Sequence, residues 1–387
     1  MRECRARTLA WTSDLSDAQW QVPRQSGINP LAWEMAHLAW FAEFWVLRGP
    51  HEVDATGRTH ALRPAVHAGP DALLDSSLIS HAERWTVPLP TREQALDMLA
   101  SQLEASVAVV PDEDNDADDD AAFYFHRLAL FHEDMHGEAF AWLRATLGYP
   151  PPRGATLDRI VARESVEVRG GEVPIGNAND TRGFAFDNEL PGRDVMLADF
   201  EIDAHPITAG QFLRFVESGG YDNPEYWPGE GGVWRAHAGR RHPERWRHMP
   251  THSQSDVRWE VRWFDRWHAL DPEQPVIHVN AFEAEAYCLW ATRRLPSAAQ
   301  WEHAARSARA FEWGRSVWEW TADAFEPYAG FVAGPYKEYS APWFGNHREL
   351  RGGAFATHPR MHNARYRNFF LPERSDVFAG FRTVAND

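Results

Sequence analysis

A chain of 387 residues, 44% hydrophobic and 25% charged, has the composition of a globular protein and the length of two or three domains, two being the working number. A formal net charge of -17 argues against nucleic acid or an anionic membrane as partner, since both call for a basic surface, and directs attention to small molecules. Only Cys4 and Cys288 are present, so neither a disulfide framework nor a cysteine-rich metal cluster can be built. Charges near the N-terminus interrupt any stretch like a signal peptide, and no run of about 18 apolar residues occurs, so the expected location is cytoplasmic. The 19 Trp and 22 Phe suit a cation-binding or ring-stacking pocket as well as a Trp-rich core.

In chain order, the first predicted element is a helix over residues 2–15 that stops near Ser16. A second follows Asn29-Pro30, with Asn as cap and Pro in the first turn, and runs through LAWEMAHLAWFAEFWVLR to Gly49-Pro50. Apolar residues cover most of its circumference, which places it centrally in a bundle. Residues 92–110 and 120–147 form a third and a fourth amphipathic helix, and the crossover at 51–90 is long enough to be functional. Between the last two helices lies DEDNDADDD. Its alternating acids resemble a calcium loop, but Ala117 and Phe123 stand where that loop needs Gly and Glu, and a solvated acidic loop fits better.

The predicted organisation is a bundle over 1–150, a linker over 151–165 that begins in GYPPPRG, and a mixed α+β domain over 166–387. In the second domain the pattern predicts one clear helix, at 281–293, and there is no internal repeat.

The chemistry begins with His132 and His136. A spacing of four residues puts two imidazoles about 40° apart on one helix face, close enough to share one ion. His37 is the natural third ligand, because it sits in an almost wholly apolar helix where an unpaired imidazole is costly to bury. Glu138 points about 200° around the helix from His136, so it is a supporting acceptor or a surface charge rather than a ligand. Glu34, one turn before His37, competes for a ligand or supporting position. A lone buried histidine is usually a satisfied core group; a pair on one face makes ligation an equal reading. Three nitrogen ligands without a thiolate suit Zn(II), Fe(II), Ni(II) or Cu(II) alike.

Six motifs in order then carry a resemblance: GGEVPIGN at 170–177, FEIDAHPITAGQFLRF at 200–215, PVIHVNAFEAEAYCLWATRRLPSAAQWEHAAR at 275–306, VWEWTAD at 317–323, LRGGAF at 350–355 and FAGFR at 378–382. They resemble the formylglycine-generating-enzyme domain, a C-type-lectin-like α+β fold. NPLAWEMAHLAWFAEFWVLR and FHEDMHGEAF resemble the damage-inducible (DinB-like) four-helix bundle that precedes this domain in the sulfoxide synthases of ergothioneine biosynthesis.

The resemblance implies an oxidoreductase whose bundle gives His37, His132 and His136 to a non-haem Fe(II), with dioxygen and hercynine, the trimethylated betaine of histidine, as substrates. A close branch, selenoneine synthase, takes a selenosugar in place of the thiol donor. Tyr336 and Tyr339 in PYKEYS match a tyrosine pair whose first member is a proton or hydrogen-atom donor, the alternative being ordinary turn aromatics. Asn368 matches a hercynine contact and Phe369 the adjacent aromatic, suited to a quaternary ammonium. Arg374 matches a residue that holds a donor carboxylate in some members, and Arg84 lies in another substrate-contacting stretch; either also reads as a surface ion-pair residue.

Three departures bear on the donor. Phe370 replaces an acidic partner of a γ-glutamylcysteine donor, Met135 replaces a Gln beside the second helix-four histidine, and only Arg315 and Ser316 separate FEWG from VWEW, where relatives carry a longer insert. These departures favour selenoneine synthase over the thiol-using enzymes that take cysteine or γ-glutamylcysteine. A copper-dependent formylglycine-generating oxidase is nearly excluded, because MHNARYRNFFLPERSDVFAGFR has no cysteine. A non-enzymatic binding module is the alternative of another class.

Overall fold

The computed structural model describes residues 1–111, 121–161, 164–178, 183–249 and 258–386, leaving out the side chain of Arg258. The acidic stretch at 112–120, with its comparison to a calcium loop, lies outside them. The chain divides into two units, Met1–Arg144 with Thr181–Phe184, and Ala145–Asp180 with Ala185–Asp387.

Unit 1 is helical. Its elements are α1 (Arg2–Ala10), the single turn α2 (Asp17–Trp20), α3 (Leu31–Ala42), the single turn α4 (Asp71–Leu74), α5 (Arg92–Ala108) and α6 (Tyr124–Leu147), with a short hairpin of β1 (His51–Val53) and β2 (Thr59–Ala61) in the crossover. α1 is shorter than predicted: it ends at Ala10, and Ser16 instead caps α2 with its side chain accepting from the Gln19 N–H. α3 is the centre of the unit. Every residue but Ala32 is buried, and each large apolar side chain contributes roughly 1.5–3 kcal/mol by leaving water.

Both ends of α3 differ from expectation. Pro30 rather than Asn29 occupies the cap position, which frees the Asn29 amide for other partners. From Glu43 to Leu47 the helix widens into a π-turn instead of continuing regularly to Arg48. Glu43 is buried there, and its carboxylate accepts the backbone N–H groups of His67 (3.0 Å) and Ala68 (2.6 Å). The crossover is thereby tied to the helix.

Unit 2 holds two four-stranded sheets. One is ordered β10-β15-β6-β3 from Arg293–Arg294, Val384–Ala385, Phe200–Ile202 and Val166–Val168. The other is ordered β13-β12-β11-β14 from Asn368–Phe370, Arg348–Gly352, Trp318–Ala324 and Ala379–Phe381, with β11 and β14 parallel. A pair, β4 (Gly171–Ile175) and β5 (Arg193–Leu197), and a three-stranded meander, β7 (Trp246–Met249), β8 (Arg258–Trp263) and β9 (Arg266–Ala269), complete it.

Where the sequence pattern predicts a single helix, the described residues of unit 2 contain four: α7 (Ala209–Glu217), α8 (Gly229–Ala238), α9 (Ala281–Trp290) and α10 (Ala298–Ser307). α7, α9 and α10 each begin with a capping box, on Thr208 and Gln211, Asn280 and Glu283, and Ser297 and Gln300. They are about ten residues or shorter, too brief for their apolar period to stand out. The segment read as a linker is bonded along this unit, with the Ile160 N–H donating to the Glu273 carbonyl (2.7 Å) and Arg159 paired with Asp271 (2.6 Å).

Several charged residues in and around the recognisable motifs of unit 2 are buried against one another. Arg351 of LRGGAF donates to Glu349 (2.7 Å), to Glu302 of WEHAAR (3.2 Å) and to the Tyr328 hydroxyl (3.1 Å). Arg367 donates to Glu349 (2.7 Å), while Arg382 of FAGFR and the Trp301 indole N–H (2.7 Å) both donate to Glu319 of VWEW. Every member of this lattice is at most 4% exposed, so each charge depends on its partners. Cys4 and Cys288 form no disulfide, and no helix among the described residues is long and apolar enough to cross a membrane.

Candidate metal centre

α3 and α6 carry the three histidines. On α6 the i, i+4 spacing brings the His132 and His136 rings to 4.6 Å between centroids, and His37 from the middle of α3 lies 5.1 and 5.3 Å from them. One nitrogen from each falls within 4.8 Å of the other two.

Two of the rings have one nitrogen committed already. His37 Nδ1 is 2.7 Å from the Leu74 carbonyl, at the end of α4, and His136 Nδ1 is 2.6 Å from Glu34 Oε1. Each therefore donates its Nδ1 proton and leaves Nε2 as the lone-pair nitrogen. Burial is the first cause that holds His37 and His132 well below the ordinary histidine range; His136 reinforces it in both, as does Arg84 for His37 and His37 for His132. Neutral, oriented imidazoles are what a divalent transition metal requires.

Aromatic packing fixes the ring planes. Trp33 stacks on His37 at 4.8 Å and 9°, Trp40 lies against the same ring at 5.6 Å, and Phe41 stacks on His132 at 3.5 Å and 6°. The indole N–H groups are themselves anchored, Trp33 to the Leu73 carbonyl and Trp40 to Asp71 (both 2.8 Å). The crossover thus holds α3 through two indoles as well as the His37 ring itself.

Behind α6, α1 locks two of the three residues between His132 and His136. Arg5 donates to both oxygens of Glu133 (2.7 and 3.1 Å) and Thr8 donates to the same carboxylate (2.9 Å), while Cys4 Sγ donates to Asp134 (3.2 Å). A Cβ at Gly137 would come within 2.9 Å of Arg7 Nη1 and displace the flexible end of that side chain. Glu138, read as a supporting acceptor or surface charge, is neither a ligand nor on the surface. It is buried, and its charge acts on Arg7.

Of the other predicted residues in unit 1, Met135 is half-buried on α6. Arg84, from the 3-10 turn His81–Trp85, lies beside the centre: its guanidinium sits 4.2 Å over the Trp33 ring and donates to Asn29 Oδ1 (2.7 Å).

Unit 2 gathers the remaining candidates around β12 and β13. Asn368 Oδ1 accepts from the Phe369 N–H (2.9 Å), and Phe369 stacks on Phe325 at 4.1 Å. Phe370 lies under the Arg374 guanidinium (4.9 Å), which is paired with Asp376 through two hydrogen bonds (2.9 and 2.6 Å). The two tyrosines part company. Tyr339 is buried, stacked on Phe186 at 4.1 Å and hydrogen-bonded to the Tyr366 hydroxyl (2.9 Å), and burial foremost raises its phenol well above the usual range. Tyr336 is half-buried, its ring 6.1 Å from that of Tyr339.

Comparison with known proteins agrees with this division. The DinB superfamily matches residues 1–140, and the sulfatase-modifying factor enzyme 1-like domain matches residues 155–317 and 311–387, two pieces that meet at the abbreviated FEWGRSVWEW segment. The chain is 30% identical over 436 residues to the hercynine oxygenase of Mycolicibacterium smegmatis, covering 98% of this chain and 96% of that protein. It is likewise 30% identical over 433 residues to the hercynine oxygenase of Mycobacterium tuberculosis, covering 99% and 96%. Against the formylglycine-generating enzyme of Streptomyces coelicolor the identity is 27% over 300 residues, covering 58% of this chain and 90% of that one.

Proposed function

We infer the activity from the premise that this chain belongs to the hercynine oxygenase family, oxidoreductases that join a DinB-like bundle to a sulfatase-modifying-factor domain. The reading is that His37, His132 and His136 hold a mononuclear Fe(II) and that the enzyme couples hercynine to a selenosugar with dioxygen. The observation that carries it is the convergence of three imidazoles, two buried and one half-buried, with the Nδ1 protons of His37 and His136 donated to Leu74 and Glu34 so that Nε2 is free for a metal.

Three neutral nitrogens suit ferrous iron and leave coordination positions for small ligands, and bound iron would supply the activation of dioxygen. The overall reaction balances as an oxidative coupling. The hercynine ring C–H and the donor Se–H are broken, a C–Se bond and a selenium–oxygen bond form, and the second oxygen atom leaves as water with both hydrogens. Tyr336 is the proton donor in this reading, since Tyr339 is spoken for by Tyr366. Asn368 and the Phe369 face orient hercynine, whose quaternary ammonium has no proton to donate and suits an aromatic surface.

What favours selenium over a γ-glutamyl thiol is the charge arrangement at Arg374. Its guanidinium is occupied by Asp376 and rests on Phe370, so no free carboxylate stands there to pair with a donor ammonium. An uncharged donor fits this chemistry better. The test is an assay with Fe(II) and hercynine, brought from anaerobic to aerobic conditions, in which a selenosugar, cysteine and γ-glutamylcysteine compete and products are weighed by mass spectrometry. Selenium coupling is expected, and Tyr336→Phe should divert oxygen to donor oxidation. Exclusive sulfur transfer would overturn the donor, and a protein that binds no first-row metal would overturn the enzyme reading.

A further inference from the structure

Glu34 is 1% exposed, and a carboxylate buried that deeply must be offset by its surroundings. One oxygen takes the Nδ1 proton of His136 (2.6 Å); the other receives the Asn29 amide at 3.4 Å. The Asn29 carbonyl oxygen in turn accepts from Arg84 Nη1 at 2.7 Å, and Trp33 supports the guanidinium from below at 4.2 Å. A continuous line of polar contacts therefore runs from a half-buried cation, through an amide and a carboxylate, to one metal-facing imidazole. Asn29 is available for it because Pro30, not Asn29, sits at the cap of α3.

A carboxylate that accepts from Nδ1 pushes electron density into the imidazole and makes Nε2 a stronger donor. How far it does so depends on the density left on the carboxylate, and every donor on its second oxygen withdraws some. A guanidinium bound to the Asn29 carbonyl polarises that amide and strengthens its N–H donation. His37 has no such arrangement, because its Nδ1 faces a neutral carbonyl.

We propose that Arg84, Asn29 and Glu34 form a positioning chain that sets the donor strength of His136 toward the metal. The proposal rests on the three-histidine metal reading. Glu34 strengthens the ligand, and Asn29 with Arg84 restrains Glu34. The chain makes His136 the adjustable ligand of the three, with a setting fixed by residues that do not touch the ion.

The experiment measures Co(II) and Fe(II) affinity by chelator competition, together with the visible ligand-field spectrum of the Co(II) form, in the full-length protein. Glu34→Gln keeps shape and volume but weakens acceptance, and it should loosen both ions by about 10- to 100-fold while shifting the Co(II) spectrum. Asn29→Ala and Arg84→Met should act in the opposite direction, each tightening binding by about two- to tenfold. Because Asn29 acts through Glu34, Asn29→Ala should have no effect in the Glu34→Gln background, whereas Arg84→Met there keeps only what its charge does to His37 directly. Thermal melting of the metal-free variants reports on folding, and Asn29→Ala, which leaves the buried carboxylate in place, tests the chain should Glu34→Gln unfold. An Asn29→Ala effect that survives in the Glu34→Gln background, or an unshifted spectrum, overturns the chain while leaving the metal site standing. Wild-type protein that binds neither ion overturns both.

Discussion

The two units bury polar groups for opposite ends. In unit 2 the arginines and glutamates of the motifs close on one another: Arg351 with Glu349 and Glu302, Arg367 with Glu349, Arg382 with Glu319, each pair out of water. In unit 1 three imidazoles converge between α3 and α6, and the hydrogen bonds of two of them, His37 and His136, satisfy one side of the ring and leave the other side to the cluster. A closed lattice of buried charge stabilises geometry and binds nothing more. A convergent set with lone pairs left over is unstable alone and calls for an ion. The distinction lies in completeness of partnership, not in how polar or how buried the groups are.

The largest effect should come from opening the convergent set. Binding free energy on the order of 10 kcal/mol shared among three ligands assigns roughly 3–4 kcal/mol to each, so His132→Asn should weaken metal binding by several hundred-fold or more. Chelator competition measures it, and an affinity within about tenfold of wild type would break the comparison.

Opening the closed lattice should act on folding instead. Glu319→Ala leaves Arg382 and the Trp301 N–H without their acceptor, at a cost of about 3–5 kcal/mol, read by denaturant unfolding of unit 2 with metal affinity in unit 1 unchanged. Equal loss of metal affinity would mean that the two units are not separate in their energetics.

The smallest effect is the sign of the pH response in metal-free protein. His37 and His132 are held low by burial first, so their contribution is present above an unfolded histidine value near about 6.5 and is lost as pH falls through the lowered folded values. Burial raises Glu189 and Glu283 in unit 2 to about 7, so their contribution is present below the unfolded carboxylate value and is lost as pH rises toward 7. His278, also lowered by burial, opposes the carboxylates in unit 2. Hydrogen exchange between about pH 7.5 and about pH 5.5 should show α3 and α6 loosening while the segments around Glu189 and Glu283 tighten, by on the order of 1 kcal/mol. Movement in the same direction would erase the contrast.

Much of unit 1 was legible because long helices have strong periods. The apolar circumference of α3 and the i, i+4 histidines predict its centre and the convergence of His37, His132 and His136, and the one-turn offset of Glu34 from His37 marks a candidate for a supporting role. The short helices of unit 2 were missed, although Thr208 with Gln211 and Ser297 with Gln300 are capping boxes readable in one dimension. What could not be read were partners far along the chain. Neither the Leu74 carbonyl behind His37 nor the diversion of Asn29 to Arg84 leaves any local signature, because a backbone carbonyl has no residue type and an amide can serve a cap or a chain equally well. Unit 2's motifs announced a fold through residues that turn out to be its buried ion pairs, while Tyr336, Asn368 and Arg374 were named by resemblance, and their roles are for the assay above to decide.

On the proposed reading, the three histidines would also have a meaning in chain topology. His37 and His132 stand roughly a hundred residues apart, so an ion shared between them is a reversible cross-link across most of unit 1, closing a loop whose entropy the unligated chain would otherwise keep. His136, on the same helix as His132, adds grip without enlarging that loop. Metal supply would then act on the bundle as a fastening does: its strength would follow the free ion concentration relative to the dissociation constant, and it could be released without breaking a covalent bond.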